Sequence, residues 1–283
     1  MSSEHFQTQL LSHPLLPTST RRSYYLFYSL LATRYSLLFL PFPMSQITPV
    51  FKREFLGYFR SPVAYVFLVV FLMASVGLAF FVGNFFKANL ASLESFFVFH
   101  PWLFLFLIPA AGMRLWSEEK RTGTLELLFT LPITPLAAVL GKFLAAWAFL
   151  TTAILLSFPM AITVGYLGDP DWGVIFSSYL GSILMAGAYL GVCSLTSALT
   201  KNQVISFVLS VIICLVLVFL GWSVFNGALS AVLPVWLVDL LANFSFTTHF
   251  DAFTKGIIDP KNIVFFLSLT AFTLFLNVLA LER

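Results

Sequence analysis

Downstream of residue 61 the chain is built from long, almost uncharged runs separated by short polar segments. Six runs stand out, at about 62–83, 95–113, 136–165, 174–199, 203–225 and 261–281. A bilayer core of ~30 Å needs about 20 helical residues, so each run is long enough to be a span. The punctuation fits helices. Ser61-Pro62, Thr134-Pro135 and Asp259-Pro260 are start signals, and Pro159 predicts a kink inside the third run. Ahead of the runs, residues 47–60 have a different period. Ile47, Val50, Phe51, Phe55 and Tyr58 share one helical face, and Lys52, Arg53 and Arg60 share the other. That predicts an amphipathic helix lying in the membrane interface, with Thr48 as N-cap and Pro49 in the first helical position. Glu54 falls on the apolar face, so it requires a partner from a neighbouring helix or another subunit. Between the fifth and sixth runs, residues 226–259 are apolar but carry Pro234 and Asp239. They predict one or two half-helices dipping into the outer leaflet.

Composition agrees. The chain is 59% hydrophobic and 10% charged with a mean hydropathy of +0.95, which excludes a soluble domain of 283 residues. The short alternating segments of a β-barrel are absent from the sequence. The expected fold is therefore an all-α polytopic membrane protein with six transmembrane helices, an N-terminal interface helix and re-entrant half-helices between spans five and six. The orientation follows from lysine and arginine. With the N-terminus inside, nine of them face the cytoplasm, including Lys52, Arg53, Arg60, Arg114, Lys120, Arg121 and Lys142, whereas Lys87, Lys255 and Lys261 lie outside. Both termini are then cytoplasmic.

Residues 1–43 read differently. They are Ser/Thr/Pro-rich, then aromatic, and Arg34 interrupts the apolar stretch. "PFP" is a poor cleavage site, so a signal peptide is disfavoured. The expectation is a poorly structured upstream extension or misplaced start, with Met44 opening a self-sufficient domain over 44–283. Cys193 and Cys214 lie inside apolar runs and read as small buried hydrophobes.

One stretch breaks the pattern. From Arg114 to Glu126 six charges crowd into thirteen residues: Arg114, Glu118, Glu119, Lys120, Arg121 and Glu126. The stretch lies in the cytoplasmic loop joining spans two and three. A topological anchor needs only basic residues, and this loop also carries three glutamates. Gly123 is flanked by Thr122 and Thr124, and "LELLFTL" follows, ended by Pro132. A mixed-charge helical elbow of this kind is suited to docking a soluble partner. Leu125, Leu127, Leu128 and Leu131 can pack while the charges choose the partner. An anchor loop whose glutamates merely balance its basic residues is the plainer alternative.

"EEKRTGTLELLFTLPIT" closely resembles the signature loop of ABC-2 type transporter permeases, and "FKREFLGYFRSPVAY" is similar to that family's interface helix and first span. The resemblance covers 44–283. "SFTTHFDAFTKGIID" is similar to the gliding-motility and nitrous-oxide-reductase-maturation branch. It implies that residues 115–131 form a coupling loop against a separate ATPase subunit, carried by Glu118, Glu119, Arg121, Thr122, Gly123, Thr124, Glu126, Leu127 and Leu128. Lys52, Arg53 and Glu54 of the interface helix move with it. It also implies a second permease subunit, as homo- or heterodimer, in the lipid bilayer of a bacterial inner membrane, with room for an auxiliary periplasmic or membrane protein and no nucleic acid. The expected role is export or conformational work driven by ATP. The chain itself is expected to be no enzyme and to hold no cofactor, since ATP and Mg would be bound by the partner. "LGKF" at 140–143 lacks the upstream glycine and the hydroxyl of a phosphate loop. Gly187 and Gly191 in span four form a small-x-x-x-small pair for helix packing.

Two alternatives remain. An intramembrane protease would need Glu118, Glu119, His100 and His249 to converge on a metal, which this topology separates. The histidines read as interfacial polar residues, and no metal site is expected. A secondary transporter would need mid-membrane ionisable groups. The mid-span regions hold none, and Lys142 lies near the cytoplasmic start of span three, where its place suggests that it snorkels.

Overall fold

The computed structural model describes residues 44–83, 85, 92–130, 133–231 and 233–282. The extension at 1–43, and Leu131 and Pro132 at the end of the elbow, lie outside the described residues. Everything described is helix, turn or short connection, with no strand among the described residues. Five helical segments are long and apolar enough to cross a membrane: Pro62–Val82, Glu94–Thr122, Pro135–Leu167, Trp172–Leu199 and Pro260–Leu281. A sixth forms if Gln203–Phe219 and Ser223–Ser230, which meet at a 73° bend, count as one span. The chain is a multi-pass membrane protein.

The leading amphipathic helix runs over Met44–Arg60, longer than expected, so Pro49 lies inside it rather than at its first position. Ser61 then holds extended backbone and Pro62 opens span one. Ser61 occupies the cap position but makes no side-chain cap, whereas Thr134, Asp171, Asn202 and Asp259 each accept a backbone N–H at the start of their helices. Pro159 has no N–H for the carbonyl of Leu155, and span three breaks there into Pro135–Leu155 and Phe158–Leu167. In the same way Pro101 separates the short helix Glu94–Phe97 from His100–Gly112.

Span four is the hub. In its most apolar eighteen-residue stretch 83% of residues are buried, against 17% in span one and 28% in span six. Small residues are the reason. A side chain at Gly181 would collide with Phe253, one at Gly187 would press on Trp147, and one at Gly191 would collide with Thr273 Oγ1. Bare backbone at these positions lets the neighbouring helices close in, which is how helices gain packing in lipid. Polar pairs then fix the register. Tyr189 donates to Pro101 O at 2.9 Å, Trp147 Nε1 to Ile183 O at 2.9 Å, and Asn277 Nδ2 to Ser194 Oγ at 2.5 Å.

The stretch after Phe219 holds three short helices, Ser223–Ser230, Val235–Ala242 and Phe246–Thr254, the first of them overlapping the end of the fifth apolar run. The fifth span proper stops at Phe219. Hydroxyls make the sharp bend tenable. Ser245 and Thr247 donate to Val218 O at 3.4 and 3.2 Å, so the broken helix end is not left bare. Gly221 lies so close to them that a Cβ would collide with the hydroxyls of Ser245, Thr247 and Thr248.

Candidate functional site

The charged stretch is not a loop added to the end of span two. It is the continuation of that span as a helix. After Gly112 one residue, Met113, carries the turn, and a second helix runs over Arg114–Thr122. Its first turn is spliced to span four. Ser197 Oγ accepts the N–H groups of Trp116 and Ser117, each at 3.0 Å, and donates to Met113 O at 2.9 Å. Trp116 is fully buried and its indole N–H reaches Ser194 Oγ at 3.3 Å. Lys120 Nζ donates to Ala198 O at the end of the same span. Three or more buried hydrogen bonds, each worth roughly 1 kcal/mol net, hold the elbow rigidly against span four. Gly123 ends the helix with φ +74°, a left-handed turn that costs glycine little and other residues about 1–2 kcal/mol. The chain then turns into Thr124–Thr130.

At the inner face of this elbow sits a salt-bridged clamp. Lys142 Nζ lies 2.8 Å from Glu119 Oε1 and 3.2 Å from Glu54 Oε1. Glu54 also receives Arg53 at 2.8 Å. Lys142 is only 4% exposed, and its ammonium stands 5.3 Å from the centre of the Trp116 ring. Three elements meet on one ammonium: the leading helix, the elbow and the start of span three. Burial by itself would raise the Glu54 carboxyl; the charge of Lys142 and the hydrogen bonds from Arg53 and Lys142 outweigh it and hold Glu54 below the ordinary carboxylate range. Lys142 therefore does not snorkel, as its place near a helix start suggested. A buried ammonium between two carboxylates is better solvated there than along an apolar wall.

"LGKF" has a structural use. A Cβ on Gly141 would collide with Val50 at 2.7 Å, so the bare backbone there seats the leading helix on span three and brings Lys142 under Glu54. Gln46 Oε1 accepts Thr134 N at 3.3 Å on the same contact. Tyr58 stacks on Phe149 with ring centres 4.8 Å apart.

The remaining candidates divide into two groups. Arg121, Thr122, Gly123, Thr124 and Glu126 are exposed at the elbow's tip with Leu127, itself 66% exposed, while Leu128 is buried beneath them. Glu118 is half-buried and, with Glu119, lines a cleft beside the clamp. Lys52 and Arg53 are exposed. Gly187 and Gly191 lie away from the elbow, packed on Trp147 and Thr273 as described. Both histidines are packed inside the protein. His100 is buried with its ring against those of Phe96, Phe97 and Phe104, and His249 is buried, bonded to Asn262 at 2.7 Å and stacked on Phe265. The apolar packing around each ring is invisible in sequence. Cys193 and Cys214 are free and buried. Among the described residues no three His, Cys, Asp or Glu side chains converge as a metal site would require.

Sequence reasoning gave Lys142 the wrong surroundings and missed the roles of Trp116, Ser194 and Ser197. One signal was available: a lone lysine in an apolar run and a lone glutamate on an apolar face, both near the same membrane boundary, are each other's natural partners.

The family model for the ABC-2 family transporter protein matches residues 95–281, a stretch that contains spans two to six and the whole elbow. No curated protein matches the chain. The chain belongs to the ABC-2 transporter family.

Proposed function

We propose that this member of the ABC-2 transporter family is the permease subunit of an ATP-binding cassette transporter, and that its elbow transmits the motion of a separate ATPase subunit to the spans. The observation that carries the reading is the clamp. A push on the exposed tip of the elbow reaches the leading helix and span three through Glu119, Lys142 and Glu54, and reaches span four through Ser197. A merely topological anchor has no need of a buried ammonium tying it to two other elements.

The rest of the reading follows from the sequence. The leading helix lies in the interface, both termini are cytoplasmic, and the membrane is a bacterial inner membrane. Residues 44–283 are the working domain. A second permease subunit completes the pathway, an auxiliary periplasmic or membrane protein completes the machine, and the chain is of the gliding-motility and nitrous-oxide-reductase-maturation type. ATP and Mg belong to the partner, and the permease catalyses nothing itself. Its work is export or transmitted conformational change.

Docking is assigned to Arg121, Thr122, Thr124, Glu126 and Leu127. Glu119 faces Lys142, so reversing its charge would break the clamp along with any docking. Arg121→Glu with Leu127→Asp separates the two, because both residues are exposed. The test is co-purification of the tagged chain in mild detergent, with an ATPase assay on the eluate. A stoichiometric ATPase subunit should accompany the native chain and be lost from the double variant, whose thermal unfolding should be unchanged. A chain that purifies alone and still moves solute would favour a secondary transporter instead.

A further inference from the structure

Beside the clamp lies a cleft of about 590 Å³ between the leading helix, span one and span two with its elbow, with Lys142 and Phe149 of span three also lining it. Val63, Val66, Phe67 and Val70 line it from span one, at the i, i+3, i+4, i+7 spacing of a single helical face. Opposite them Leu107, Ala110, Ala111, Arg114, Leu115 and Glu118 continue one face from span two into the elbow, the alanines leaving the space open. The leading helix closes one end with Glu54, Gly57 and Tyr58, and Ser61 follows at the cap of span one. The cleft is thus apolar along its length and charged at one end. Val63, Val66 and Val70 are 54%, 61% and 45% exposed, so its long side is open where span one would face lipid.

The charged end is incompletely satisfied. Lys142 is consumed by Glu54 and Glu119. Glu119 nevertheless keeps Oε2 buried with no hydrogen-bond partner. That oxygen has almost no accessible surface, so it belongs to the clamp and is not offered to the cleft. Arg114 and Glu118 also line this end and make no ion pair among the described residues. The cleft therefore offers the Glu118 carboxylate to an ammonium and the Arg114 guanidinium to a phosphate, one turn apart along one helix.

We propose that this cleft binds a zwitterionic bilayer lipid with a primary amine and a phosphate in its headgroup, of the phosphatidylethanolamine kind. The ammonium sits on Glu118, the phosphate pairs with Arg114, and an acyl chain runs out along Val63, Val66 and Val70. The volume takes the headgroup and the upper part of a chain, and the rest stays in the bilayer. The lipid rests against the elbow and the leading helix together, so the bilayer becomes a structural part of the clamp. This proposal stands apart from ATPase coupling, since it needs no partner subunit.

The experiment uses the full chain, delipidated in maltoside micelles and titrated with dilauroyl phosphatidylethanolamine, phosphatidylcholine and phosphatidylglycerol under native mass spectrometry. Phosphatidylcholine lacks the N–H donor and phosphatidylglycerol lacks the cation. The ethanolamine lipid should bind at least about tenfold more tightly than either, the scale of one charge-assisted hydrogen bond. Arg114→Gln and Glu118→Gln should each remove most of that preference. Gly57→Trp should abolish binding by filling the cleft, since a Cβ there meets nothing within 4 Å. Val66→Trp, at an exposed wall position, is a second filling variant that leaves the core untouched. Equal binding of the three lipids would overturn the proposal, and so would undiminished binding in both tryptophan variants.

Discussion

Replacing Lys142 with methionine keeps the length and apolar stem of the side chain and deletes the charge. Two carboxylates are then left facing one another across the space that the ammonium held. The Glu119 and Glu54 side chains are 19% and 23% exposed, so water reaches them only in part. Removing one partner of a buried ion pair costs about 3–5 kcal/mol. Partial exposure, and the contact of Arg53 with Glu54, place this case near the lower end, at ~3 kcal/mol. The lost contact of Lys142 with the Trp116 ring contributes part of it, on the order of 1 kcal/mol. Equilibrium unfolding of the purified chain in mixed micelles, followed by circular dichroism, measures the change. The control that isolates charge is the triple variant Glu54→Gln, Lys142→Met, Glu119→Gln. It removes all three charges at nearly constant volume and should return to within about 1 kcal/mol of the native protein. A Lys142→Met protein as stable as native would refute the clamp as a source of stability. A triple variant no better than the single one would refute unpaired charge as the cause.

Three further outcomes follow from the same geometry. Ser197→Ala should orphan the N–H groups of Trp116 and Ser117, costing about 1–3 kcal/mol, and should speed hydrogen exchange across Arg114–Thr122 while leaving span six unchanged. Gly191→Leu should destabilise the chain by about 1–3 kcal/mol through collision with Thr273, whereas Gly57→Ala, in open space on a helix, should be neutral or stabilising by up to about 1 kcal/mol in the same unfolding assay. The Glu54 carboxyl is held below its ordinary value, so its contribution is fully present above the usual carboxylate range near pH ~4 and disappears as pH falls through the lowered folded value. Thermal midpoints measured from neutral to acid pH should drop in that window, and Glu54→Gln should flatten the drop.

How much of this was legible along the chain differs from element to element. The six apolar runs, the break near Pro159, the caps at Thr134 and Asp259, and the turn at Gly123 are local properties. Each depends on hydropathy or on backbone chemistry within a turn or two, so a linear reading reaches it. The need of Glu54 for a partner was legible for the same reason, since a charge on an apolar face is unfavourable wherever the helix goes. The partner itself was not. Lys142 and Glu54 are 88 residues apart, and their meeting depends on how far span three is rotated and how closely the leading helix approaches it. Gly141 sets that approach by yielding its side-chain space to Val50.

The same division explains the rest. The sequence by itself determined that this is a helical membrane protein with a charged elbow after its second apolar run, because the bilayer constrains every backbone polar group and leaves helices as the only local answer. Tertiary structure alone decided that the elbow is a helix pinned by Ser197, that Lys142 is a buried clamp rather than a surface anchor, and that the segment before the last span folds as three helices. Those outcomes turn on which faces of separate helices touch. In lipid that choice is made by small residues and single polar pairs, whose partners lie dozens of residues away and leave no periodic mark on the chain.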